Sequence, residues 1–124
     1  NEIDGDAART LIANGVKLVA EGANMPSNLE AINEFLNNGI LFGPAKAANA
    51  GGVATSALEM AQNSSRSTWT FKEVDAKLQD IMTNIYKESK EAAAKYGSPG
   101  NLVVGSNTAG FAKVADGLLI EGVY

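Results

Sequence analysis

Three short stretches of this 124-residue chain combine small and polar residues in ways that suit ligand binding. The first is Ala20-Glu21-Gly22-Ala23-Asn24-Met25-Pro26, which follows the apolar run Val16 to Ala20. An asparagine here offers both a donor and an acceptor, suited to an amide or a ribose hydroxyl. Asn24 would equally satisfy a turn ahead of Pro26, since turn chemistry alone favours asparagine. The second stretch runs from Gly43 through Asn49, Gly51, Gly52 and Val53 to Ser56. Its residues are nearly all small, so a ligand could approach the backbone closely. Gly51-Gly52 at a helix start would present N–H groups and a positive dipole end to a carboxylate or phosphate. Ser56, about one turn on, could add a hydroxyl to the same anion. The competing reading is a tight strand-to-helix turn with small residues for packing. The third stretch, Gly105-Ser106-Asn107-Thr108-Ala109-Gly110, has the outer glycines of a phosphate loop but lacks the Lys-Ser/Thr that follows them. Helix capping by Ser106 or Asn107 explains it better.

Composition removes several chemistries. The chain has no cysteine, so it has no disulfide, thiolate metal site or thiol nucleophile. It has no histidine, which excludes a Ser-His-Asp or Cys-His hydrolase and the commonest metal ligand. No catalytic residue and no metal ligand set is assigned. Fourteen acidic against ten basic residues give a charge of −4, the wrong sign for a nucleic-acid partner. No apolar run approaches the roughly 18 residues that span a bilayer, and there is no basic amphipathic stretch for a membrane surface. No secretory signal opens the chain, so the cytoplasm is the expected compartment. There is no initiator Met, and no Gly-x-Gly-x-x-Gly fingerprint occurs anywhere. The missing Met, with first residues that run directly into a helix-forming segment, points to a fragment or processed chain, and the missing fingerprint to the absence of a dinucleotide pyrophosphate loop.

The elements that must position these stretches alternate at first. Ala7 to Asn14 reads as a helix capped by Asp4 or Asp6 and stopped by Gly15, and Val16 to Ala20 as a buried strand. Ser27 and Glu30 suggest a capping box for a helix from about Asn28 to Asn37, and Ile40-Leu41-Phe42 a second strand. Helix-strand-helix-strand with short connections favours parallel strands and right-handed crossovers, as in an α/β nucleotide-binding sheet. Beyond Gly43 only helices are expected. One covers Ala50 to Ser65. A second opens at Thr70 with a Thr70–Glu73 capping box and a Trp69–Val74 staple, and runs to Tyr96 with Phe71, Val74, Leu78, Ile81, Met82, Ile85 and Ser89 at spacings of three and four. A last one begins near Gly105 to Gly110, with Phe111, Val114, Ala115, Leu118 and Leu119 on its apolar face. The fold class is therefore α/β, predominantly helical, with about two short parallel strands. Two strands leave both sheet edges unpaired, a second sign that part of the molecule is missing.

Taken in order, the motifs resemble one family. Leu11-Ile12-Ala13-Asn14-Gly15-Val16-Lys17, Ala20-Glu21-Gly22-Ala23-Asn24-Met25-Pro26, Ala47-Ala48-Asn49-Ala50-Gly51-Gly52-Val53, Glu59-Met60-Ala61-Gln62-Asn63 and Gly110-Phe111-Ala112-Lys113-Val114-Ala115-Asp116-Gly117 are similar to segments of the small hexameric NAD(P)-dependent glutamate dehydrogenases. The ordered set covers essentially the whole chain.

The resemblance implies the C-terminal portion of such an enzyme. Residues 1–66 would be the distal half of a Rossmann-like dinucleotide-binding domain with the hinge-side helix, and 67–124 a C-terminal helical segment. The family oxidises L-glutamate to 2-oxoglutarate and ammonia by hydride transfer to NADP or NAD, NADP being favoured by similarity to bacterial forms. Carried over by motif, Asn24 and Asn49 would bind the cofactor at its nicotinamide end. Gly52 and Val53 would line the substrate pocket, and Ser56 would hold the side-chain carboxylate of glutamate. The family's catalytic lysines, catalytic aspartate and glycine-rich fingerprint belong to segments upstream of these motifs, so the chain alone is expected to be inactive. The family forms homo-hexamers. An alternative expectation is a non-catalytic helical interaction module that docks through the helices beginning at Thr70 and near Gly105.

Overall fold

The computed structural model describes residues 1–122. Among them are two strands and six helices: α1 (Gly5–Ala13), β1 (Leu18–Ala20), α2 (Leu29–Asn37), β2 (Leu41–Gly43), α3 (Ala45–Ala48), α4 (Ala50–Ser65), α5 (Phe71–Lys95) and α6 (Leu102–Glu121). β1 and β2 pair in parallel, with Leu18 opposite Leu41, Val19 opposite Phe42 and Ala20 opposite Gly43. The crossover between them is α2, the βαβ arrangement expected of helix-strand alternation. No helix is long and apolar enough to cross a membrane among the described residues.

Four helix starts, those of α1, α2, α5 and α6, carry a side-chain cap. Asp4 accepts the Ala7 N–H at 2.9 Å to begin α1. Asn28 accepts the Ala31 N–H at 2.9 Å to begin α2. The expected Ser27–Glu30 capping box is therefore not formed. Ser27 is drawn into a parallel bridge with Ile3 and is buried, while the Glu30 carboxylate turns to Arg9. Arg9 joins Asp6 at 2.6 Å, Glu30 at 3.1 Å and Glu34 at 2.7 Å, and these hydrogen bonds, that of Asp6 foremost, raise the pKa of the guanidinium. Asn101 accepts the N–H groups of Val103 and Val104, so α6 starts at Leu102, ahead of the expected position, and neither Ser106 nor Asn107 caps it.

The core is small and lies between α1, α2 and the sheet. Ala8, Ala31, Phe35 and Phe42 are buried, and the rings of Phe35 and Phe42 stack with centroids 5.7 Å apart. The helical layer is organised around α5, whose Val74, Leu78, Ile81, Met82 and Ile85 are half-buried and whose Ser89 is buried, as the spacing predicts, whereas Phe71, expected in the same set, stands exposed at the first position of the helix. α6 packs on α5 through its smallest residue. Gly105 is buried against the Ser89 carbonyl and Ala93. The expected apolar face of α6 is instead mostly outward: Phe111, Val114, Leu118 and Leu119 are exposed. Close helix approach selects small residues, which leaves the large ones on the outside.

Thr70 and Glu73 make the expected reciprocal capping box at the start of α5. Hydrogen bonds from the Thr70 backbone, and next from its hydroxyl, hold the Glu73 carboxyl below its ordinary value of 4.5. A depressed folded-state pKa means that this stabilisation is complete above the unfolded value and is lost as pH falls through the folded one. The melting temperature of the parent should exceed that of Glu73→Ala at neutral pH, and acidification should close the gap. A gap unchanged down to the acid limit of folding would contradict the role of the ionised carboxylate.

Candidate functional site

The C-terminal ends of β1 and β2 lie side by side because the strands are parallel, so the loops that leave them share one edge of the sheet. The first loop, from Glu21 to Asn28, turns sharply at Met25, which adopts a left-handed φ of 51°. The second passes from Gly43 through the single turn of α3 into α4, with Asn49 as the joint between the two helices.

These loops meet through the two asparagines. The Asn49 Nδ2 donates to the Asn24 Oδ1 at 2.9 Å and to the Ala23 carbonyl at 3.1 Å. Gly22, Ala23, Asn24, Asn49 and Val53 line an open cleft of about 490 Å³. Val53 projects from the first turn of α4 and is 71% exposed. Amide assignments follow from the hydrogen-bond pattern, which leaves the Asn24 Nδ2 as a donor and the Asn49 Oδ1 as an acceptor for a ligand.

Gly52 and Ser56 stand apart from this cleft, one turn from each other on the exposed side of α4. The Ser56 hydroxyl donates back to the Gly52 carbonyl at 3.3 Å, leaving its lone pairs outward. The two neighbouring glycines differ in role. A Cβ on Gly51 would meet the Met82 Sδ at 3.3 Å and the Leu78 Cδ1 at 3.4 Å, so Gly51 lets α4 lie against α5. A Cβ on Gly52 would meet nothing within 4 Å. The Gly52 N–H is already taken by the Asn49 carbonyl at 3.1 Å, so the helix start offers fewer free donors than the sequence suggests. Of the sequence-derived site residues, the structure thus gathers Asn24, Asn49 and Val53, and places Gly52 and Ser56 on the adjoining helix face.

Sequence reading missed the residue that ties the two loops together. Glu21 is 4% exposed, and its carboxylate accepts the Ser27 N–H at 3.2 Å and the Ala45 N–H at 2.8 Å. Its position directly after a strand, ahead of a glycine, resembles an ordinary turn and carries no signal of burial. Lys46 is a surface residue and donates to the Asn107 Oδ1 of α6 at 2.7 Å. Among the described residues no group of three or more His, Cys, Asp or Glu side chains could hold a metal ion.

The sequence profile of glutamate/leucine/phenylalanine/valine dehydrogenases matches residues 1–122. The chain belongs to that family. It is 59% identical over 126 residues to the NADP-specific glutamate dehydrogenase of Salmonella typhi, covering 99% of this chain and 27% of that protein. To the NADP-specific glutamate dehydrogenase of Escherichia coli it is 57% identical over 123 residues, again covering 99% of this chain and 27% of the relative. Among solved structures, Plasmodium falciparum glutamate dehydrogenase superposes with a TM-score of 0.94 at 50% identity, over all of this chain and 27% of that one. The family's fold is thus present over this chain, which spans about a quarter of the length of these relatives.

Proposed function

We propose that this chain forms one wall of the nicotinamide and substrate site of an NADP-dependent glutamate dehydrogenase. Such an enzyme oxidises L-glutamate to 2-oxoglutarate and ammonia, with NADP accepting the hydride from the α-carbon. The observation that carries the reading is the Asn49–Asn24 hydrogen bond at 2.9 Å, which sets two side-chain amides at the carboxyl end of the sheet beside Val53. A free amide donor and a free amide acceptor fit a carboxamide such as that of nicotinamide, or a ribose hydroxyl. Asn24 and Asn49 would orient that end of the cofactor. Gly52, open on its outer side, and Val53 would admit the amino acid, and the Ser56 hydroxyl, turned from the Gly52 carbonyl, would donate to the side-chain carboxylate of glutamate.

The lysine and aspartate chemistry that the family resemblance implies is not assigned to this chain, and residues 1–66 and 67–124 are read as the cofactor-domain part and the C-terminal helices. The same reading takes the family hexamer as the assembly and the cytoplasm as the compartment. NADP is favoured over NAD by the names of the relatives of high identity.

The test replaces the matching segment of the Escherichia coli enzyme with this chain. The chimera should oxidise glutamate with NADP, while the 124-residue chain alone should not. In the chimera, Ser56→Ala removes a hydrogen bond to a charged group, a loss of roughly 1.5–3 kcal/mol. The KM for glutamate should therefore rise about tenfold or more while that for NADP stays fixed, and Asn24→Ala should do the reverse. An active chimera in which neither substitution shifts its own KM would overturn the assignment.

A further inference from the structure

Glu21 is a charged side chain placed where burial would ordinarily exclude it, and nothing in the proposed site needs its charge for contact with a ligand. It does not line the cleft of Asn24 and Asn49. Its two carboxylate oxygens are instead divided between the two loops that carry those residues. One accepts the Ser27 N–H, closing the segment from Glu21 to Ser27, with Asn24 at its middle, into a ring. The other accepts the Ala45 N–H, the first of α3, whose last turn leads into Asn49. The Glu21 N–H itself donates to the Gly43 carbonyl at 2.9 Å, so the residue extends the parallel ladder by one bond before its side chain spans the loops.

We infer that Glu21 is a positioning residue for the cofactor site, holding the Asn24 loop and the Asn49 joint at the separation that lets their amides pair. The inference rests on the functional reading above. A buried carboxylate suits this task better than a neutral group. It accepts from several N–H donors at once, and each bond to an ionised acceptor is stronger than its neutral counterpart. Pro44 contributes by lacking an N–H and by fixing an extended approach, ψ 151°, so that the Ala45 N–H is the first donor available at the start of α3. Asn24 is otherwise poorly anchored. It is exposed, precedes a residue in the left-handed region, and among the described residues its side chain bonds only Asn49. Without the Glu21 ring the loop could relax at Met25, and the amide pair would separate.

Two substitutions isolate the effect. Glu21→Gln keeps the shape but turns an amide NH₂ towards one of the two N–H donors. Ala45→Pro deletes one donor at a first helical position, where proline is well tolerated and the preceding residue is already extended. In the isotope-labelled 124-residue chain, both should abolish the nuclear Overhauser contact between the Asn24 and Asn49 side chains while leaving the helical circular dichroism unchanged. In the Escherichia coli chimera, both should raise the KM for NADP about tenfold with the KM for glutamate unaltered, and Glu21→Asp should restore part of the loss. A purely structural role would lower kcat per total protein at constant KM. Retention of the Asn24–Asn49 contact and of the parental KM for NADP in both variants overturns the positioning role. An inactive chimera, or one indifferent to Asn24→Ala, overturns the functional reading instead, and the magnetic resonance measurement still decides whether Glu21 holds the two asparagines together.

Discussion

Gly105→Ala should destabilise the chain by about 2 kcal/mol, whereas Gly110→Ala, on the same helix, should stabilise it. Alanine is the better helix former by about 1 kcal/mol, so on propensity alone both substitutions would help. The surroundings reverse the sign at one of them. A Cβ on Gly105 would collide with the Ser89 carbonyl and would lie 3.0 Å from the Ala93 Cβ. The first neighbour is backbone, which cannot rotate out of the way, so α6 must move off α5. Overpacking of this kind costs about 1–3 kcal/mol, and a clash with main chain belongs at the upper end of that range. At Gly110 nothing lies within 4 Å of the added methyl, so only the propensity gain remains. Urea denaturation of the two variants should move the midpoint in opposite directions. If both alanines shift it the same way, the close approach of α5 and α6 is not what fixes Gly105.

The consequence extends to the site because α6 touches α3. Lys46 of α3 reaches the Asn107 Oδ1 of α6, and the N–H of the adjoining Ala45 donates to the Glu21 carboxylate. Displacing α6 therefore removes one support of the short helix that leads to Asn49. α4, which carries Gly52, Val53 and Ser56, is held to the same α5 by the small residue Gly51. The long helix thus supports α3 and α4, the two helices that meet at Asn49.

What could be read in the sequence follows from how local its cause is. The parallel pair, α4, and the Thr70 start of α5 were legible because capping, glycine stops and apolar spacing act within a few residues. The start of α2 was misread at one residue. Ser27 with Glu30 satisfies the local pattern, but Ile3, 24 positions away, claims Ser27, and Arg9 claims Glu30. The face of α6 was misread for a related reason. Periodicity identifies an apolar stripe, yet the packed side is chosen by how closely α5 can approach, and Gly105 has no hydropathy to announce it. For the site, Asn24 and Asn49 were visible as polar residues after strands. That they would share a hydrogen bond depends on strand register, and that Glu21 would bridge their loops depends on a tertiary contact between residues 21 and 45.

The largest loss of stability should come from Phe35→Ala, at roughly 3–5 kcal/mol. Phe35 is fully buried, the largest side chain to be so among the described residues, and its ring stacks on Phe42. The substitution removes apolar area and leaves a cavity that α1, α2 and β2 would have to close, although the Arg9 ion pairs tie α1 to α2 and the parallel ladder ties β2 to β1. A domain of this size is stable by only about 5–15 kcal/mol, so the change consumes a large share of the total. The cost depends on place, not on residue type. Phe71 has the same side chain but is 86% exposed, and Phe71→Ala should alter stability by less than about 0.5 kcal/mol. Phe42 is also the residue before Gly43-Pro44, so a collapse beneath it should disturb the start of α3 and the Glu21–Ala45 bond. Hydrogen exchange at the Ala45 amide should therefore quicken in Phe35→Ala and stay unchanged in Phe71→Ala. Equal losses of stability from the two phenylalanines would mean that the ring at position 71 is covered in solution, and that the core between α1, α2 and the sheet is not the principal one.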